Sequence, residues 1–118
     1  PELKSQRLYN LARIKRQLAK FSEAEAILKE SLAIEATVSG QDSLKSARRL
    51  VELSANLAAQ DRWSEGADYL AKVIPLGQGF AGQERTFTKT SYLEYGKKLR
   101  ALGEIEKASR FEQAASSL

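Results

Sequence analysis

The chain has 118 residues, enough for one domain, and its 42% hydrophobic and 29% charged residues are typical of a soluble globular protein. It contains neither Cys nor His, which excludes disulfides, thiolate chemistry, and the commonest general base and metal ligand. The formal net charge of +4 is less basic than a nucleic-acid-binding surface requires. No apolar run reaches the roughly 18 residues of a membrane span, and no secretory signal is evident.

Large side chains recur along the chain at one fixed interval. Phe21, Trp63 and Ile105 lie 42 residues apart. Each of the three is followed three residues later by a small residue. Three further sets of residues recur at the same interval, and we call each set a column. They are Ala24, Gly66 and Ala108; Leu8, Leu50 and Tyr92; and Leu11, Leu53 and Tyr95. A period of about 20–50 residues indicates stacked repeats, each burying its apolar face against a neighbour. The sequence therefore predicts three copies of one helical pair.

The first repeat carries the clearest helical pattern. Apolar residues at spacings of three and four predict a first helix with one apolar face, formed by Leu8, Leu11, Ala12, Ile14, Leu18 and Phe21. Ser22 and Glu25 have the S-x-x-E spacing of a capping box and are expected to open the second helix. Gly40 is expected to stop that helix, with Asp42 or Ser43 as the next N-cap.

The second and third repeats follow the same plan. Pro75 lacks an N–H and is expected to end or kink the fourth helix. The predicted helices are 4–19, 22–37, 43–60, 63–74, 85–102 and 104–116, in repeats of approximately 5–42, 47–84 and 89–118. Because the chain starts with Pro and contains no Met, we expect it to be a piece of a longer protein.

The repeated columns are expected to be structural. Phe21, Trp63 and Ile105 would each fill the wedge between paired helices, where truncation to Ala costs about 3–5 kcal/mol. The small residues of the neighbouring column would let the helices approach closely. A larger side chain there would overpack the crossing, at roughly 1–3 kcal/mol.

With these columns in place, the run LYNLARIKRQLAKFSEAEAILKESLAIEATVSGQDS resembles a tetratricopeptide repeat (TPR). The 42-residue length is similar to the kinesin light chain subtype. The family pattern stands at Leu8, Leu11, Ala12, Phe21 and Ala24, whereas Ser31, Gly66 and Val73 depart from it at small positions. The resemblance implies an all-α solenoid of three helix-turn-helix repeats, forming a right-handed superhelix whose first helices line a concave face. It also implies binding of an extended peptide or a helix, and it brings no catalytic residues.

The side of each first helix opposite the apolar columns would face this groove. An extended, partly acidic peptide could place apolar residues over Val51 and Ala55 and carboxylates on the arginines, with Tyr9 as the favoured anchor. The alternative is an ordinary solvated face. The predicted groove residues are Gln6, Tyr9, Asn10, Arg13, Arg16, Arg48, Val51, Glu52, Ala55, Leu93, Glu94, Lys97 and Arg100.

One motif imitates a nucleotide-binding loop. Gly77, Gly79 and Gly82 spell G-x-G-x-x-G, but no strand precedes them and no βαβ unit is predicted. An inter-repeat loop explains the glycines. A second interpretation folds this loop, with Phe80, over the edge of the groove.

We therefore predict a protein–protein interaction module that is not an enzyme and has no cofactor or metal. One alternative is self-assembly by end-to-end stacking of repeats, although the polar last helix favours a monomer. Another is a regulatory repeat region of a larger enzyme or transcription regulator. The expected partner is another protein or peptide, with no nucleic acid and no membrane, and a cytoplasmic location is favoured while the periplasm stays open.

Overall fold

The computed structural model describes residues 1–118, which form six α-helices and no strand. The predicted all-α fold is confirmed, and every helix end lies within three residues of the predicted one. The fourth helix ends at Ala71, before Pro75, and the fifth begins at Gly82. The helices are α1 (Glu2–Gln17), α2 (Phe21–Val38), α3 (Leu44–Ala59), α4 (Trp63–Ala71), α5 (Gly82–Ala101) and α6 (Ile105–Ser117), with a 3₁₀ turn at Gly77–Gly79.

Consecutive helices pack as three hairpins, α1 with α2, α3 with α4, and α5 with α6. The second helix of each of the first two hairpins also packs on the first helix of the next one. The first helices touch one another on the other side of the stack, α1 with α3 and α3 with α5. The result is a solenoid of 39 × 28 × 23 Å in which α1, α3 and α5 share one face. None of the helices is both long and apolar enough to cross a bilayer.

The turn inside each hairpin has the same backbone conformation. Ala19, Asp61 and Gly103 have φ of 60°, 59° and 86°, and these positions are again 42 residues apart. In each turn, the N–H of the residue after the positive-φ residue donates a hydrogen bond to the carbonyl five residues earlier. This bond satisfies a carbonyl that is left free at the end of the preceding helix. The three bonds are Lys20 N to Lys15 O at 2.8 Å, Arg62 N to Leu57 O at 2.9 Å and Glu104 N to Leu99 O at 2.9 Å.

The predicted helix caps are partly confirmed. Ser43 is the N-cap of α3, and its Oγ accepts a hydrogen bond from the Ser46 N–H at 3.1 Å. The capping box at Ser22 is wrong, because α2 begins one residue earlier and its start has no side-chain cap. Glu25 instead accepts a hydrogen bond from Arg62 Nη1 at 2.6 Å. The carboxylate is thus used to join α2 to the second hairpin.

The column of small residues is buried throughout, as predicted, at Ala24, Gly66 and Ala108. The column of large residues behaves differently. Trp63 is half-buried and packs edge-on against Tyr95 of the next hairpin, with ring centroids 4.9 Å apart. Ile105 is 47% exposed, so its predicted wedge role is wrong. A large residue at this position is covered by the first helix of the next hairpin, as Trp63 is by α5. No helix packs against α6 in the same way, so Ile105 stays exposed.

The predicted apolar face of the first helix is only partly buried. Ala12 is fully buried, in a cluster with Leu28, Leu53 and Leu57. Further side chains assigned to the inner face point outward, because α2 and α3 cover only one side of α1. These exposed residues are Leu11, Ile14 and Leu18.

Candidate functional site

A cavity of about 250 Å³ opens on the shared face of α1, α3 and α5. We call it the groove pocket. Helices α1 and α3 form two of its walls. The 3₁₀ turn region and the first turns of α5 form the third. Its lining residues are Tyr9, Arg13, Arg16, Arg48, Val51, Glu52, Phe80, Gln83, Glu84, Phe87 and Thr88.

Ion pairs across the groove pocket join its three walls. The buried carboxylate of Glu52 on α3 pairs with Arg16 of α1, and Arg13 Nε lies 3.5 Å from its Oε1. Arg48 of α3 pairs with Glu84 of α5, Nε to Oε2, at 2.5 Å. A carboxylate withdrawn from water requires such partners, because an unpaired buried charge is strongly destabilising. The pairs of buried Glu52 therefore hold α1 against α3, whereas the more exposed Arg48–Glu84 pair connects α3 to α5 near the surface.

Aromatic rings lie against these arginines. The guanidinium of Arg16 lies 5.8 Å from the ring centroid of Phe87, and that of Arg48 lies 6.0 Å from Phe80. Tyr9 is within 5.6 Å of the Arg13 guanidinium, and burial raises the pKa of its phenol although Arg13 opposes the change. A guanidinium within about 6 Å of a ring centroid is attracted by the negative face of the ring. The pocket thus combines oriented N–H donors with apolar walls.

Neither of the two hydroxyl groups of the groove pocket makes a hydrogen bond to a carboxylate. Thr88 Oγ1 donates to the backbone oxygen of Glu84 at 2.7 Å, which satisfies it within its own helix. The Tyr9 phenol is protonated at neutral pH, and burial raises its pKa further above the ordinary value of 10.0. Neither group has the arrangement of an activated nucleophile. The geometry suits recognition of a ligand that offers a carboxylate and an apolar side chain.

Six of the thirteen predicted groove residues line the pocket. They are Tyr9, Arg13, Arg16, Arg48, Val51 and Glu52. Gln6 and Asn10 lie beside the pocket on α1, where the Gln6 amide donates to Asn10 Oδ1 at 3.1 Å. Ala55 is half-buried one turn beyond Val51 on α3.

The four predicted residues of α5 lie outside the pocket. Leu93, Glu94 and Lys97 are exposed on the second half of the helix. Glu94 follows Phe87 by seven residues and so shares its helix face. Arg100 faces α6, where its Nη2 lies 2.7 Å from Glu112 Oε1.

Sequence reasoning missed the third wall of the pocket. Gln83, Glu84, Phe87 and Thr88 lie in the first turns of α5, part of which was assigned to a loop. Phe80 is buried at the pocket, in line with the second interpretation of the glycine-rich loop. An available signal was Phe87 itself, an aromatic residue on the solvent side of a predicted helix.

Comparisons with known proteins agree with the helical repeat architecture. No known family profile matches the chain, and no curated protein matches it in sequence. Solved structures match it in fold, namely crystal structures from Podosopora anserina described as nearly identical TPR-like repeats of a candidate kinesin light chain. One has a TM-score of 0.70 and 19% identity over 98% of this chain. A second has a TM-score of 0.68 and 20% identity over 93% of this chain.

The present chain spans about half the length of those structures, 55% and 52% respectively. At these identities the likeness concerns the fold alone. The chain has a TPR-like repeat fold.

Proposed function

We propose that the groove pocket binds an extended, partly acidic segment of another protein. The observation that carries the proposal is the combination of three arginines with two glutamates and three aromatic rings in one cavity. In this arrangement an apolar side chain of the partner enters between Phe80 and Phe87. A neighbouring carboxylate binds the guanidinium groups at the rim.

Arg13 is the guanidinium most available to a partner. Its side chain is 50% exposed, and its one ion pair is the 3.5 Å approach of Nε to Glu52. Arg16 and Arg48 hold their glutamates more closely and are less exposed. Since guanidinium carries five N–H donors, Arg13 can bind a second carboxylate in a bidentate manner without leaving Glu52.

The apolar contact would centre on Phe87. Its side chain remains 40% exposed although it lies at the mouth of the pocket, and Val51 forms a buried floor nearby. An exposed ring beside a cavity is a natural anchor, because covering it removes apolar area from water without reorganising the protein. This requirement selects partners with a Leu, Phe or similar side chain next to Asp or Glu.

A peptide screen followed by calorimetric titration tests the proposal. The library would hold short extended peptides with one Leu or Phe flanked by Asp or Glu. For a selected peptide, Arg13→Glu and Phe87→Ala are each expected to weaken binding about tenfold or more, which corresponds to about 1.4 kcal/mol. Arg110→Glu on exposed α6 is the charge-matched control and should leave binding unchanged. Equal losses in Arg13→Glu and Arg110→Glu, or no binder at all, would overturn it.

A further inference from the structure

The fifth helix begins one turn earlier than its counterpart in the second repeat. A shift of 42 residues places Leu44, the first residue of α3, on Thr86, whereas α5 begins at Gly82. The additional turn of α5 carries Gln83 and Glu84, and both residues line the groove pocket. Because α3 forms the same kind of hairpin without this turn, the repeat architecture does not require it. The turn is therefore a feature of the pocket.

The two carboxylates of the groove pocket differ in exposure. The Glu52 side chain is 5% exposed and is shared by Arg13 and Arg16. The Glu84 side chain is 45% exposed and has one partner, Arg48, whose own side chain is 32% exposed. An ion pair open to water contributes little to stability, because water solvates the separated charges almost as well. Glu52 is thus a fixed part of the pocket, whereas Glu84 can leave Arg48 for water.

Most hydrogen-bond donors of Arg48 are free. Its Nε donates to Glu84 Oε2 at 2.5 Å, and no other protein acceptor bonds to its guanidinium. A guanidinium has five N–H donors and binds a carboxylate most strongly through two parallel bonds. The Arg48 guanidinium also lies 6.0 Å from the ring centroid of Phe80, an apolar wall of the pocket. A carboxylate bound to Arg48 would therefore lie beside the apolar side chain of a partner.

We propose that Glu84 determines the charge specificity of the groove pocket, because it occupies a second carboxylate site on Arg48. This inference rests on the proposed function, in which Arg13 binds the first carboxylate of the partner. A segment with one acidic residue binds at Arg13 and leaves the pair of Arg48 and Glu84 intact. A segment with a second acidic residue has to displace Glu84, whose charge also repels it. The pocket is thus selective for a single carboxylate next to the apolar side chain.

The charge balance of the pocket agrees with this selectivity. Three arginines and two glutamates line it, which gives a net charge of +1 that one carboxylate neutralises. Without the charge of Glu84 the net charge would be +2, and two carboxylates would be needed to neutralise it.

Calorimetric titration with two peptides tests the inference. The first is a peptide from the screen with one acidic residue, and the second has an additional Asp or Glu on the other side of its apolar residue. The wild type should bind the two with affinities within about twofold of each other. Glu84→Gln should bind the second peptide about fivefold or more tighter than the first, because a neutral amide competes less well for Arg48.

Two further variants show where the gain arises. Glu94→Gln is the matched control, since Glu94 is exposed on the same helix but lies outside the pocket. It should keep the affinity ratio of the wild type. In the double variant Arg48→Gln/Glu84→Gln, the two peptides should again bind within about twofold of each other, because the second site is gone. Circular dichroism of each variant checks that the helices are intact.

The inference would be overturned by any of four results. These are no gain from the second acidic residue in Glu84→Gln, an equal gain in the wild type, an equal gain in Glu94→Gln, or a gain that persists without Arg48. If the first peptide binds the wild type and Arg13→Glu weakens it, the proposed function stands even when the inference about Glu84 fails. Binding of neither peptide to any of these proteins would contradict both.

Discussion

The phenol ring of Tyr95 occupies the space that a side chain at Gly66 would fill. A Cβ built on Gly66 would overlap the Tyr95 hydroxyl and lie 3.0 Å from Cζ. The hydroxyl itself donates to the backbone oxygen of Ser54 at 2.5 Å. At the equivalent positions of the preceding repeat, the chain has Ala24 and Leu53. The large Tyr95 thus faces a glycine, whereas the smaller Leu53 of the preceding repeat faces an alanine.

Gly66→Ala is therefore expected to destabilise the protein, although alanine is the better helix former. Overpacking costs about 1–3 kcal/mol, which exceeds the roughly 0.5–1 kcal/mol that alanine contributes within a helix. Urea denaturation measures the change. In a Tyr95→Phe background the loss should be smaller, because the overlapping hydroxyl is gone. A Gly66→Ala protein that is more stable than the wild type would contradict the close approach.

The two buried tyrosines of α5 should respond in opposite directions to loss of the hydroxyl. The Tyr92 hydroxyl is buried without a hydrogen-bond partner, and burial raises its pKa to about 12. Tyr92→Phe should leave the free energy of unfolding unchanged or raise it by up to about 1 kcal/mol. Tyr95→Phe should lower it by about 1 kcal/mol, because it removes the bond to Ser54. Chemical denaturation of both variants would show whether this order is reversed.

The left-handed turns provide a second matched pair. Ala19 and Gly103 occupy equivalent turns at φ of 60° and 86°, a region that alanine adopts only with strain. Ala19→Gly is expected to raise the free energy of unfolding by about 0.5–1 kcal/mol, and Gly103→Ala to lower it by at least as much. Thermal denaturation followed by circular dichroism is sufficient. A lower midpoint for Ala19→Gly would show that the turn is not under strain.

Stability should fall in acid partly through Glu25. Burial alone would raise the pKa of this carboxyl, but hydrogen bonds from Arg62, Lys29 and Gln60 outweigh it and lower the pKa from 4.5 to about 2. A pKa lowered by folding contributes stability above about 4.5, and this contribution is lost as the pH falls from 4.5 to about 2.

Glu25→Gln should consequently be less stable than the wild type at pH 7, and the two proteins should converge near pH 2. Denaturation midpoints across this range make the comparison. Glu106→Gln, an exposed position in the first turn of α6, is the control. An equal difference between Glu25→Gln and wild type at all pH values would mean that ionisation of Glu25 does not stabilise the fold.

The helices were predictable because their signals are local. Apolar spacing and the Ser43 N-cap both act within a few helical turns. The exposure of Ile105 and Leu18 was not predictable in this way. An apolar residue on a helix shows that a face exists, but only the tertiary arrangement decides whether another helix covers it.

The candidate site was predictable to a similar extent. Tyr9, Arg13 and Val51 follow from helix periodicity, since they lie opposite the buried columns. Phe80 depends on how the irregular segment after α4 packs, for which the sequence offers no periodic signal. Arg100 was placed on the correct helix, but its ion pair with Glu112 depends on the angle between α5 and α6.

The most direct test of the groove proposal is a residue-resolved binding map. Amide chemical shifts of the isotope-labelled protein would be followed by NMR during titration with a peptide selected by the screen. The account predicts that the largest changes cluster at the groove pocket, at Tyr9, Arg13, Val51 and Phe87, and disappear in Arg13→Glu. Changes confined to α6 or to the outward face of α1, with the groove pocket unaffected, would contradict it.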